Sequence, residues 1–460
     1  MKKYLLFISF ICVVLPTVSF AQVMTTGHYH SLIICPDSTV LNWGMNTSGQ
    51  LGDSSITPSN IPVQVNSLTG IKAMAAGQHN SVFLKSDSTV WACGSNQYGQ
   101  LGDGTTIDRW TPMQVNSLSG ITAVESGNYY SLFLKNDSTV WACGHNNNGE
   151  LGDNSTTDRW TPVQVNSLTG IIAVAAGFYH SVFLKNDGTV WACGDNVWGQ
   201  LGDGTQTQRN MPVQVNLLTG ITAVACGSFH SLFLKNDGTV WACGDNGYGQ
   251  LGDGTTTNRW TPVQVSSLTG IVAVAGGWGH SLFVKNDGTV WACGWNQYGQ
   301  FGNGTTTNSQ TPVQVSSLTG IIAAACGTKH SAFLKNDGTL WACGSNVWGQ
   351  LGDGTNTDSW TPVLAAGLCM SGGTAIAEQQ QENGFQIYPN PATNEIRIKT
   401  AEFRIESVEV FDVLGQKYNS AFDILNSELT IDVSSLGAGI YFITITDEKK
   451  NKVTGKVVKM

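Results

Sequence analysis

Charge is scarce in this chain: only 12% of its 460 residues are Asp, Glu, Lys or Arg, and the formal net charge is −9. Residues 22–377 hold 20 acidic and 12 basic side chains. No basic stripe is available to release counterions from a phosphate backbone, which argues against DNA or RNA as a partner. Glutamate occurs in this stretch only at Glu125 and Glu150. After residue 21 no apolar run is long enough to span a bilayer as a helix. There is no Asp-x-Asp-x-Asp ladder for calcium, no metal-ligand motif and no Ser-His-Asp set beside the two glutamates. No metal or cofactor is therefore expected, and no catalytic residue is assigned. Abundant Gly, Ser, Thr and Asn suit turns and strands, not helices.

The apolar run that does exist is N-terminal. Lys2 and Lys3, then Tyr4 to Leu15, then Ser19-Phe20-Ala21 give the charged, apolar and small-x-small zones of a signal peptide over residues 1–21. Ten cysteines follow Cys12.

What dominates the sequence is a repeat. Trp91-Ala92-Cys93-Gly94 recurs at 141, 191, 241, 291 and 341, and Gly99-Gln100-Leu101-Gly102-Asp103 recurs with the same period of 50. Seven units fill residues 22–370 without an insertion. In the unit starting at Ile171, residues 171–177 read as a short strand of small apolar residues. Residues 181–185 and 189–193 read as a hairpin around Asn186-Asp187-Gly188, since Asp-Gly supplies the positive φ of a tight turn. A long loop spans Gly194 to Asn210, and Pro212 to Val215 forms a fourth strand. Four antiparallel strands repeated around a ring make a propeller blade. The fold class is all-β: a seven-bladed β-propeller followed by a small β-sandwich.

The pattern Gly-x-x-His-Ser, then Asp-Gly-Thr-Val-x-x-x-Gly-x-Asn-x-x-Gly-Gln-Leu-Gly, resembles the regulator of chromosome condensation repeat and covers about three quarters of the chain. One departure is systematic: Cys-Gly stands where that family has Trp-Gly, except at Trp43-Gly44, and the aromatic bulk lies two residues back at Trp91 and its equivalents. The resemblance implies a propeller that presents one face to another protein.

Composition changes after Cys369. Residues 371–384 read as a polar linker. Residues 385–460 alternate apolar with polar, as in half-buried strands. Tyr388-Pro-Asn-Pro391, Val410 to Gln416, Leu436 to Phe442 and a basic end resemble the type IX secretion C-terminal sorting domain. That resemblance implies passage through the periplasm to the outer surface or beyond, with the type IX machinery as a partner.

Candidate chemistry is weighed against plain structure at each position. His30, His180, His230, His280 and His330 share one repeat position, with Asn80 and Tyr130 in units two and three. Blade separation keeps them from one metal sphere, and each is expected to bond a neighbouring backbone group. The six Cys-Gly cysteines read as buried thiols. Cys35 and Cys369 fall outside the repeat and near where the ring must close, which makes them a candidate disulfide, with two free thiols as the alternative. An enzyme would need Glu125 and Glu150 to line one pocket.

Comparing the seven units separates two faces. The hairpin turns and the Ser-Leu-Thr-Gly connections barely vary and emerge on one side. The first-to-second and third-to-fourth loops vary and emerge on the other, and they are rich in aromatics. The candidate binding residues are Tyr29, Tyr129, Phe178, Tyr179, Phe229, Trp278 and Trp295, together with Tyr98, Trp198, Tyr248, Tyr298 and Trp348; packing between blades is the competing reading for the last five. The expected function is non-enzymatic recognition of an extracellular protein by this face. A carbohydrate adhesin, which needs exposed coplanar aromatics, is the alternative.

Overall fold

In the computed structural model the described residues are 23–315 and 318–369, and, C-terminally, 385–388, 395–400, 405–412, 417–418, 422–425, 428–434, 436, 439–447 and 452–459. The signal-peptide and linker assignments lie outside them. The chain divides into two compact units, Met1–Gly373 and Thr374–Met460. Among the described residues there is no helix long and apolar enough to cross a membrane.

Each fifty-residue unit forms one four-stranded antiparallel sheet with its strands in sequence order, and there are seven such sheets. In blade four they are Ile171–Ala176, His180–Lys185, Val190–Gly194 and Arg209–Gln214. The residue types explain the layers. First strands end in small residues, as in Ala175-Ala176 and Ala225-Cys226, because seven of them crowd the hub. Second strands such as His180-Ser-Val-Phe-Leu are buried along their length, lying between neighbouring blades. The outermost strand is an edge, where Pro212 is tolerated because no further strand needs its missing N–H.

The fourth strand starts earlier than the sequence reading placed it, at Arg209. A bulge between Ala192 and Gly194 lets pairing resume as Gly194↔Arg209. Gly194 has φ +107 there, a backbone state that favours glycine.

Blades are held together by apolar clusters that straddle their interfaces. One joins Val82, Leu84 and Val90 of blade two to Phe133 and Cys143 of blade three. Burying each such Phe contributes roughly 1.5–3 kcal/mol. The thiols are fully buried, and each donates to the preceding blade, as Cys93 Sγ does to Gln50 O at 3.6 Å. Trp43, the one family-like Trp, makes the same link through Nε1 to Gln350 O at 3.0 Å.

The histidines bond a serine hydroxyl of the next blade, not a neighbouring backbone group as expected. Nε2 of His30, His180, His230, His280 and His330 lies 2.9–3.1 Å from Oγ of Ser81, Ser231, Ser281, Ser331 and Ser31. Each serine gives its one proton to a carbonyl, as Ser81 does to Gln50 O, so the imidazole must donate from Nε2. Asn80 reaches Ser126 Oγ and Tyr130 reaches His180 O in the two remaining units, so the circuit is continuous through all seven blades. Nδ1 of each of these histidines has no partner and faces a glycine; a Cβ at Gly177 would lie 2.2 Å from His180 Cε1. Burial pushes these rings down to about 3, or about 4 for His230, so they are neutral.

The ring closes without exchanging a strand between blades. Met24, Ile33 and Trp43 of blade one pack on Ala323, Ala332, Leu334 and Leu340 of blade seven. Cys35 and Cys369 are joined as a disulfide across this junction, with Cα atoms 5.0 Å apart.

The second unit has two four-stranded sheets. One contains Phe385–Tyr388, Glu395–Thr400, Glu428–Asp432 and Phe422–Leu425; the other contains Lys417–Tyr418, Ile405–Asp412, Gly439–Asp447 and Lys452–Lys459. Ile396, Ile398, Leu429 and Ile431 of the first share a core with Val410 and Ile443 of the second.

Candidate functional site

The innermost strands of all seven blades surround a channel of about 200 Å³, whose lining rises into the varied first-to-second-strand loops. Most of that lining is Ala, Gly, Ser and Thr. Glu125 is the one carboxylate of that lining, standing where five other blades have Ala75, Ala175, Ala225, Ala275 and Ala325 and blade one has Thr25. Among the described residues its carboxyl has no hydrogen-bond or ion-pair partner. Desolvation by the surrounding protein pushes it up to about 8.

Ring contacts gather the candidate aromatics into two networks. In the first, Tyr98 meets Tyr129 and His145 at 5.1 and 4.9 Å, and His145 meets Tyr179. Tyr179 leads to Phe178, which touches Phe229 at 5.5 Å and His28 at 5.1 Å; His28 in turn meets Tyr29. The His28–Phe178 contact joins blades one and four across the channel mouth. The second network is Tyr248, Trp278, Trp295 and Tyr298. Lys329 Nζ lies 4.4 Å from the Tyr298 ring centre and donates to its hydroxyl at 3.0 Å. Trp198 and Trp348 belong to neither network.

Exposure sorts them further. Trp198 is the most open, at 41%; Tyr29, Tyr98, Tyr129, Phe178, Tyr179, Phe229, Tyr248, Trp278, Tyr298 and Trp348 are half-buried. Trp295 departs from the expected exposure and is buried, at 7%. The reason is Gly279: a Cβ there would sit 3.4 Å from Trp295 Cβ and 3.2 Å from Tyr248, so the indole fills space that glycine leaves.

Where the residue before the loop Asn is Asp or His, it bonds the residue five places on. Gln200 Oε1 accepts from Trp198 N, and its Nε2 donates to Asp195 at 2.9 Å; Gln250 and Asp245 repeat the pair. In blade three Glu150 Oε2 accepts from Asn148 N at 3.0 Å, and Oε1, now an acceptor where glutamine has a donor, bonds His145 Nδ1. Burial opposes charge on His145, but Glu150 more than offsets it and raises the imidazole above its usual range. The pair therefore holds one proton between them. Glu150 is fully buried here and absent from the channel lining, so the two glutamates do not share a pocket. No cluster of three or more His, Cys, Asp or Glu able to hold a metal occurs among the described residues.

The Asp-Gly of the long loop is a clamp. Asp103 accepts from Asn96 Nδ2 at 3.0 Å and pairs with Arg109, which holds the aromatic loop in shape. Sequence reasoning missed the outer Trp110, Trp160, Trp260 and Trp360, each about half exposed. Each sits on a glycine of the preceding blade's varied loop, as Trp260 does on Gly199. Their spacing by multiples of 50 was visible in the Trp-Thr-Pro segments.

The family model described as RCC1-like domain matches residues 121–379. Models of the regulator of chromosome condensation (RCC1) repeat match residues 37–84 and 87–134, and a related one residues 71–100. The secretion system C-terminal sorting domain matches residues 386–460. The human probable E3 ubiquitin-protein ligase HERC6 is 49% identical over 49 residues, 10% of this chain and only 5% of that protein. Among solved structures, Kap60 bound to yeast RCC1 (Prp20) aligns with TM-score 0.65 and 21% identity, over 72% of this chain and 84% of that one. Prp20p from Saccharomyces cerevisiae gives 0.66 and 21% over 77% and 90%. Human WBSCR16 gives 0.64 and 24% over 71% and 93%. At these identities the likeness is one of fold.

Proposed function

The chain belongs to the RCC1-like domain family and its sorting domain directs it to the cell surface or beyond, and from that premise we propose that it is a non-enzymatic recognition protein holding an extracellular protein on its varied-loop face. The observation that carries this reading is the pair of aromatic networks, ten of the twelve candidate residues, gathered on that face and, all but Trp295, half-buried. Aromatic side chains supply large contact area at low entropic cost and dominate interface hot spots. Their ring planes meet at 34° to 88°. That relief fits a contoured protein surface better than the coplanar platform a sugar ring needs. The binding properties described for Prp20p are to Gsp1p and histones, both proteins.

The test is capture of extracellular proteins and surface glycans by the full chain, its Tyr29→Ser/Trp198→Ser/Phe229→Ser variant, and a control with Lys185→Ser/Lys235→Ser on the opposite face. A protein held by wild type and the control but lost by the aromatic variant supports the reading. Equal capture by all three moves the site elsewhere, and capture of glycans alone favours the adhesin.

A further inference from the structure

We propose that the central channel is a binding site for a primary alkylammonium group, with the Glu125 carboxylate as its counter-ion. The site does not depend on the face recognising a protein; that reading bears only on whether the ammonium comes as a free amine or as a lysine side chain of the partner.

Geometry comes first. A space of about 200 Å³ is several times the roughly 30 Å³ that one water occupies in the liquid, so it accommodates a short carbon chain. Its wall is mostly small residues, which fit a slender alkyl stem. One anionic group faces into it, and among the described residues nothing else bonds that group. A carboxyl half withdrawn from water and left unpaired costs free energy, and that cost is relieved when a cation arrives. Seven equivalent positions offer a ready comparison: five carry Ala and one carries Thr25. Removing the carboxylate would therefore disturb no contact of the scaffold. Glu125 lies two residues below the turn at Gly127, roughly 7 Å at strand rise, within reach of the four-carbon stem of a lysine. The mouth above is aromatic, with His28, Phe178 and Trp278, and ring faces attract cations. A propeller with 20 acidic and 12 basic residues between 22 and 377 draws the same charge.

The other titratable groups of the lining do not confuse the readout. Burial pushes His28 down to about 3, so it stays neutral. Cys226 and Cys326 are pushed well above the usual thiol range, chiefly by burial. Lys329, whose field reaches His28, is held by the Tyr298 hydroxyl. Between pH 6 and 9 the group that changes charge inside the channel is Glu125.

The experiment is calorimetric titration of the full chain with n-butylammonium at pH 7 and pH 9, in buffers of different ionisation enthalpy, with n-butanol as the neutral control. With the carboxyl at about 8, the ionised fraction rises about tenfold between these pH values, and affinity should rise about tenfold with it. Binding should release close to one proton at pH 7 and about a tenth of one at pH 9. Glu125→Gln, with an unchanged melting curve as evidence of folding, should lose at least tenfold in affinity together with all proton release. Absence of binding at pH 9, a pH-independent affinity, or equal binding by Glu125→Gln would overturn the proposal. A second arm compares the amine with an acetyl-lysine-N-methylamide whose ε-amine is free and with its norleucine counterpart. Tighter binding of the lysine derivative assigns the ammonium to a partner chain, and tighter binding of butylammonium assigns it to a free amine; either supports the site. A norleucine derivative that binds as well as both would contradict it.

Discussion

Blades three and five occupy the same fifty positions twice, yet they differ wherever blade three carries a group unlike its neighbours. Tyr130 stands for His230, His145 for Asp245, Glu150 for Gln250, Ser138 for Gly238 and Glu125 for Ala225. The first three changes are matched by a partner: the Tyr130 hydroxyl still reaches the next blade, and His145 supplies the donor that Glu150 lacks. The last is matched by nothing among the described residues. A matched departure keeps the scaffold intact, whereas an unmatched one costs stability and so points to a ligand.

The largest expected effect is acid sensitivity, to which blades two and three, with Asn80 and Tyr130 in place of the ring histidine, do not contribute. The five ring histidines have folded values near 3 or 4 against about 6.5 when unfolded. Between those values the unfolded chain binds more protons, so stability falls as pH drops from 6.5, by about 1 kcal/mol per histidine over the first pH unit and about 1.4 over the next. Denaturant titrations at pH 6.5 and 5.5 check this. Replacing His230 by Asn, the residue of blade two, should shrink the pH dependence by one histidine's share.

Next comes the matched pair. Glu150→Gln alone sets an amide against His145 in a buried site and should cost about 3 kcal/mol. His145→Asp/Glu150→Gln rebuilds the blade-five arrangement and should recover most of it, which a double-mutant cycle measures. Failure to recover would show that the two positions are not a unit.

Smaller is the unmatched carboxyl. Its folded value of about 8 lies above the model-peptide range, so the folded state binds more protons between pH 4.5 and 8, and stability falls as pH rises through that window. Glu125→Ala, the residue of blade five, should therefore gain about 2 kcal/mol at pH 6 and little at pH 4.5. The smallest effect is at the hairpin turn. Ser138 holds φ +64 where blade five has Gly238 at +76, and Ser138→Gly should stabilise by about 0.5 to 1 kcal/mol as read by thermal melts.

The fold was legible because the repeat is rigid: fifty residues, a turn at Asp187-Gly188 and a glycine-rich loop recur until no other all-β arrangement fits. Strand limits were less so, since the Gly194 bulge that extends pairing to Arg209 leaves no mark in apolar periodicity. The face was legible from loop variation, but burial within it was not. Trp295 is hidden because a residue sixteen places earlier is glycine, and Glu150 pairs with His145 because an amide became an acid. Both are contacts between positions, which single positions do not reveal. The carboxyl of Glu125 was noticed as an oddity, but its place in the channel appears only once seven blades are closed into a ring.

The most direct test of the distinction between matched and unmatched departures is a carbon-13 NMR titration of the glutamate side-chain carboxyls, with and without n-butylammonium. The account predicts that Glu125 titrates near 8 and moves down by at least one pH unit when the amine is present, while Glu150 is unmoved. A Glu125 midpoint in the ordinary carboxylate range, or one that ignores the amine, would contradict it.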